Sequence, residues 1–237
     1  MGAFLYGIFL QWKLDIRSKT LLITCYIVPL LFFAVMGEIF TEVMPDYKHT
    51  LIQSMTIFGV TMGALIGLPP SLVEIYASDI KKVYRANGVP VCLGFVLTNI
   101  SAFIHLFITS VIIYFVAPIL FDADIPNNPG LYFACLSVFI MVSLGIASVI
   151  GLSVKDQAKT SMLSIIIFLP SIMLSGIMFP TDLLPNVLRV VGKLFPASWG
   201  YILIESDMFD FMSFAPLLII FIVSLFICVV LLKKVGK

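Results

Sequence analysis

Charged side chains are scarce in this chain. They make up 11% of its 237 residues, against about 25% in an ordinary soluble domain. The formal net charge is only +1, which offers no basic surface for nucleic acid. Histidine is limited to His49 and His105, and the four cysteines (Cys25, Cys92, Cys135 and Cys228) fall in or beside different apolar runs. Neither a metal site nor a disulfide framework is expected from that spacing. The cysteines read as small, polarizable packing residues.

Catalytic motifs are missing as well. There is no H-E-x-x-H pair and no G-x-S-x-G elbow, which removes the zinc and serine routes to an intramembrane protease. Gly192-Lys193 is followed by Leu194, and Val187 stands where the first glycine of a P-loop belongs. Nucleotide binding in the P-loop manner is therefore not expected of these residues by themselves. No secretory signal is expected either, since the first apolar run starts near residue 20 at full length and lacks a small-residue cleavage site. Tyr6 occupies the Ser or Thr position of a myristoylation start.

Within the apolar runs, His105 is the only ionisable side chain near a midpoint, and Glu38 lies toward the far end of the first run. Proton relays, ion pathways and voltage sensors carry Asp, Glu, Lys or Arg at membrane depth. Their absence argues against a proton- or sodium-coupled carrier. For His105 two uses stay open, a helix–helix hydrogen bond within 99–105 or a place in a transport path.

What the chain has in abundance is apolar length. It is 61% hydrophobic, and the apolar residues gather into six runs, 20–40, 51–73, 91–121, 131–154, 160–180 and 211–232. A bilayer core of about 30 Å needs about 20 helical residues, and each run meets that length. Lys13, Arg17, Lys19, Lys81, Lys82, Arg85, Lys155, Lys159, Lys233, Lys234 and Lys237 fall in segments that share one side by alternation; Lys48, Arg189 and Lys193 fall on the other. Positive charge collects in the cytoplasm, so both chain ends are expected there. The fold expected is an all-α, single transmembrane domain of six helices in a cell membrane, with the short loops of a prokaryotic protein.

Four segments stand out along it. Residues 1–19 place Leu5, Ile8, Phe9, Trp12 and Ile16 at helical spacing, with Lys13, Asp15, Arg17 and Lys19 elsewhere on the wheel; an interfacial helix anchored by Trp12 is expected. It serves as an anchor alone or also touches a cytoplasmic partner. In the second run Gly59, Gly63 and Gly67 line one face, which suits close helix packing inside the chain or between two copies. In residues 74–90 an apolar stripe (Tyr76, Ile80, Val83, Tyr84) opposes Glu74, Asp79, Lys81, Lys82 and Arg85, and Asn87-Gly88 supplies a stop signal. Lastly, 181–210 is apolar but interrupted by Pro185 and Pro196, too short to cross and therefore expected as a re-entrant or interfacial helix pair.

These segments together resemble the transmembrane subunit of a type-2 ATP-binding-cassette (ABC) exporter. The resemblance rests on Leu174-Ser175-Gly176-Ile177-Met178-Phe179-Pro180, on Leu184-Pro185 and Phe195-Pro196, and on the basic stretch from Lys81 to Pro90. It spans the whole chain through the order and spacing of these features. The stretch departs from the family where Ser78-Asp79-Ile80 replaces an acidic residue followed by glycine. The resemblance implies a half-transporter that pairs as a homodimer, or with a similar permease, and docks a separate ABC ATPase. That ATPase would hold ATP and Mg; no cofactor is bound directly.

Residue by residue, the resemblance implies that Glu74, Asp79, Lys81, Lys82, Arg85, Asn87 and Gly88 form the coupling segment. Ser175, Gly176, Pro180, Pro185 and Trp199 would form an external gate. Phe58, Met62, Met173, Ile177 and Met178 would give an apolar, adaptable substrate path, fitting a hydrophobic or amphipathic cargo such as a drug, a peptide antibiotic or a lipid-linked molecule. An ATP-independent channel or facilitator would need polar faces on several runs, yet only Thr98, Asn99, Ser101 and His105 offer one. A membrane assembly scaffold is the remaining alternative.

Overall fold

The computed structural model describes residues 2–77, 84, 86, 88–178, 181–206 and 208–236, and among these it contains helices and connections but no strand. An amino-terminal helix α1 (Gly2–Arg17) is followed by a short turn, Lys19–Leu22, leading into α2 (Ile23–Val43). Then come α3 (Leu51–Ala77), α4 (Cys92–Phe121) and α5 (Pro129–Ser153). The chain continues with α6 (Gln157–Met173), α7 (Asn186–Gly192), α8 (Pro196–Glu205) and α9 (Phe211–Gly236). Five of the described helices are long and apolar enough to cross a membrane, and α7 with α8 forms a pair bent by 87°.

Local chemistry sets the helix ends. Asn128 accepts the Leu131 N–H at 3.1 Å ahead of Pro129, which starts α5. Asp156 accepts the Lys159 N–H at 2.8 Å and starts α6. These caps satisfy amide groups that the first helical turn leaves orphaned. Asp210 does the same for α9, accepting from Met212 and Ser213. The Ser213 hydroxyl and then the Met212 N–H hold the Asp210 carboxyl below its usual pKa. Asp122 closes α4 in the left-handed region at φ 49°.

The bundle is built around α3. Of its most apolar stretch 89% is buried, against 28% for α2 and 17% for α9. The Leu51–Met62 half packs against α2, α4, α5 and α8, and the Leu68–Ala77 half against α4, α5 and α6. Rim helices such as α9 turn Ile219, Ile222 and Phe226 outward, as expected where lipid is the solvent.

Two details differ from expectation. The fifth crossing, expected over 160–180, is a helix only to Met173, with Pro170 inside its last turn and the Leu174 N–H closing onto the Pro170 carbonyl. At about 1.5 Å per residue it is short for a full crossing. It lies chiefly beside the Leu68–Ala77 half of α3, while α8 fills the space beside the other half. In α1, Asp15 does not face outward with its charged neighbours but is 6% exposed. Trp12 stacks on the ring of His105, centroids 6.2 Å apart and planes at 17°, rather than serving only as an interfacial anchor.

Candidate functional site

The chain turns back on itself immediately after α6. Gly176 sits at φ 90°, where a side chain would be strained, and its Cβ would come within 2.9 Å of Thr181. The Ser175 hydroxyl donates to the Ile172 carbonyl at 2.8 Å and accepts the Ile177 N–H at 3.4 Å. Pro185 precedes α7 with extended backbone (ψ 144°). Pro180 lies outside the described residues.

The α7–α8 bend is held from within. The Ser198 hydroxyl donates to the Gly192 carbonyl and the Trp199 indole to the Lys193 carbonyl, each at 2.7 Å. Ser175, Gly176 and Trp199 therefore all work at this reversal: the first two form the turn, and the third clasps the bend. The two arms differ in burial. Pro196, Ala197, Ser198, Gly200, Leu203 and Ile204 of α8 are buried, whereas Val187 and Val190 of α7 and Leu194 beyond it are 66–75% exposed. One arm is anchored, and the other presents an apolar face.

The expected substrate-path residues do not form one surface in the chain. Phe58 is buried, stacked on Phe32 with centroids 3.8 Å apart and edge-on to Phe168 at 5.9 Å. Ile177 is fully buried, Met62 and Met178 are half-buried, and Met173 is exposed. The reason is that α3 is enclosed, so its Phe58 belongs to the core.

Gly59, Gly63 and Gly67 likewise face neighbours in the same chain. A Cβ on Gly63 would meet Leu106 at 2.3 Å and the Cys25 sulfur at 3.4 Å, and one on Gly67 would meet Thr24 at 2.9 Å. Gly59 faces Pro29 and Ile113. That face is taken up by α2 and α4, and so is not open to a second copy. The helix widens at Gly63–Gly67, opposite a similar widened turn at Ile23–Ile27 of α2. There the Thr109 hydroxyl donates to the Cys25 carbonyl at 2.7 Å, supplying a partner where a widened turn disturbs the regular ladder.

Of the coupling residues, Asp79, Lys81, Lys82, Arg85 and Asn87 lie outside the described residues. Glu74 is exposed on the last turns of α3, and Gly88 takes φ 65°. The flanks of the segment are pinned: the Tyr76 hydroxyl donates to the Val91 carbonyl and the Val89 N–H to the Tyr84 carbonyl, both at 2.8 Å.

Sequence reasoning missed a polar recess at the α8 end of the bundle. It encloses about 450 Å³ and is lined by His49, Thr50, Gln53, Asp124, Ile125, Pro126, Asn127 and Glu205. His49 Nδ1 contacts Asp124 Oδ2, and the buried Gln53 Oε1 has no partner. The one signal in the sequence was Gln53, a long polar side chain near the start of an apolar run. No described group of three or more His, Cys, Asp or Glu is placed to hold a metal ion.

A helical bundle with several apolar helices long enough to cross a bilayer, a shorter sixth helix α6 and the bent pair α7–α8 is the build of a multi-pass membrane protein. Residues 4–209 match the ABC-2 type transporter family. The chain belongs to that family. A comparison with curated proteins gives no match. As an ABC-2 membrane domain, it is the transmembrane permease component of an ABC transporter, and the family implies association with an ABC ATPase.

Proposed function

We propose that this permease is the membrane half of an ATP-driven exporter that moves a hydrophobic or amphipathic molecule out of the cell. The observation carrying this reading is the family match over residues 4–209. In this reading ATP and Mg are held by an ABC ATPase subunit, the association that the family implies. The sorting of Lys and Arg supports cytoplasmic chain ends, which sets α7, α8 and the polar recess on the outer side. Residues 74–90 are the cytoplasmic contact with the ATPase, and their pinned flanks, Tyr76 to Val91, pass its movement to α3 and α4.

Because α3 is enclosed, two copies pair through another face. The apolar outer face of α6, with Met162, Ile165, Ile166, Leu169 and Met173 all at least 45% exposed, is the surface that fits. Met173 then lines a path between the two copies, and the bared α7 arm stands at its mouth as a gate. For ATP to do work on the cargo, the cargo must bind the inward- and outward-open forms with different affinity.

The deciding experiment is a pull-down of the tagged chain from its native membrane in mild detergent. Recovery of an ABC ATPase at about equal stoichiometry is the expected result. Recovery of the chain alone, even after gentle crosslinking, would replace this reading with a channel or scaffold.

A further inference from the structure

Far from the α7–α8 gate, α1 closes over a cavity of about 310 Å³ lined by Asp15, Ile16, Leu21, Leu22, Tyr26 and His105. At this junction of α1 and α4 the buried Trp12 Nε1, Asp15 Oδ2, Ser101 Oγ and His105 Nε2 make no hydrogen bond of good geometry, although the Ser101 hydroxyl is near enough to Asp15 to lower its pKa. Asp15 is 6% exposed and His105 is 0% exposed. Their other polar atoms are engaged, with Gln11 donating to Asp15 Oδ1 at 2.9 Å and the Tyr26 hydroxyl 2.7 Å from His105 Nδ1. Folded proteins pair their buried polar groups almost without exception, so the Asp15 carboxyl and His105 Nε2, which both line this cavity and lack a full set of partners, mark a place built for another species.

We propose that this cavity binds an ammonium group carried on an alkyl chain. Asp15 supplies a carboxylate oxygen, and His105 supplies a ring nitrogen in one of its two tautomers. The ring of Tyr26 is part of the wall and supplies an aromatic surface of the kind that attracts organic cations, while the indole of Trp12 stacks on His105 beside it. The walls are apolar, and Ile16 and Leu22, 42% and 37% exposed, open outward so that an alkyl chain runs into the surroundings of the bundle.

The alternatives fit less well. A phosphate or carboxylate would meet Asp15 with no lysine or arginine in the lining, and Lys13 and Arg17 lie on the exposed side of α1. Asp15 makes no ion pair with a described cation. A metal ion is not favoured, as no described group of three His, Cys, Asp or Glu gathers. The site does not depend on the exporter reading and is tested on the chain alone.

The test uses the full chain in dodecyl maltoside micelles at neutral pH, titrated with dodecylamine or with dodecanol as the uncharged analogue. Trp12 emission reports occupancy, and a Trp12→Phe chain identifies its share of the signal. Dodecylamine is expected to change that emission saturably and dodecanol to leave it unchanged. Losing the charged acceptor in Asp15→Asn should weaken dodecylamine binding by about tenfold or more, and Asp15→Glu should retain it.

Equal responses to dodecylamine and dodecanol, or undiminished binding by a folded Asp15→Asn chain, would overturn the site. Should Asp15→Asn fail to elute as a folded protein, the amine-to-alcohol comparison on the unaltered chain decides alone. Competition by phosphatidylethanolamine but not phosphatidylglycerol would assign the ammonium to a lipid headgroup. Absence of that competition would assign it to a free amphiphile. The ammonium chemistry stands in both cases.

Discussion

The backbone of Gly192 lies against that of Leu174 so closely that a Cβ on the glycine would stand 2.5 Å from the leucine carbonyl oxygen. This contact joins the end of α7 to the turn that closes α6. A clash with backbone cannot be relieved by rotating a side chain. Gly192→Ala should therefore push α7 off its seat and cost about 1–3 kcal/mol, seen as a fall in apparent Tm of roughly 3–10 °C. Limited proteolysis should find new cleavage between residues 174 and 195. Unchanged Tm and cleavage would show that α7 is not docked there.

Gly63 makes a different case. Its imagined Cβ meets Leu106 Cδ2 at 2.3 Å, the tip of a flexible side chain, so Gly63→Ala should be absorbed at small cost. Gly63→Leu cannot be absorbed, because Cys25 closes the other side at 3.4 Å. The expected outcome is a large Tm loss for the leucine variant within the single chain. A leucine variant with unchanged Tm but reduced self-association would return this face to the interface between copies.

How much of this was legible in the sequence depends on which physical signal each feature left. The long apolar runs report bilayer length directly, so α2 to α5 and α9 fall near their expected places. The proline-broken segment was readable as a bent helix pair because Pro185 and Pro196 each stand at the start of a helix. The premature end of α6 was not, since Ile177 and Met178 are as apolar as a spanning helix requires and only the φ of Gly176 reverses the chain. Asp15 was assigned to the polar face because helical spacing gives the angle of a side chain but not what packs over it. Whether the Gly59–Gly63–Gly67 face meets the same chain or another is invisible to periodicity, and α2 and α4 decide it. The recess around Gln53 draws residues from three separated segments, which no local pattern brings together.

The basic stretch between α3 and α4 carries the prediction closest to function. Lys82→Glu combined with Arg85→Glu reverses two charges in a short segment flanked by pinned backbone. Membrane insertion should persist, because the remaining Lys and Arg still favour the same side. Co-purification with the ABC ATPase should be abolished, as like charges at a docking surface repel and truncated pairs leave buried charge unpaired. Undiminished co-purification would remove these residues from the coupling contact.

The buried carboxyl of α1 gives a pH prediction whose sign is fixed by linkage. Burial raises the Asp15 pKa above its ordinary 3.8, against the smaller lowering effects of Ser101 and Gln11. His105 and Tyr26 share its cavity. Below the ordinary value, folded and unfolded chains both hold the proton, and burial of the neutral acid carries no ionisation penalty. As pH rises above it, the unfolded chain releases the proton while the folded chain retains it, so stability falls until pH passes the raised value. Asp15→Asn has no proton to lose. In dodecyl maltoside free of amines, its Tm should exceed that of the unaltered chain at neutral pH, and the gap should close as pH approaches the ordinary aspartate value. A gap that is absent at neutral pH, or that widens on acidification, would mean that the carboxyl is solvated or paired in the fold.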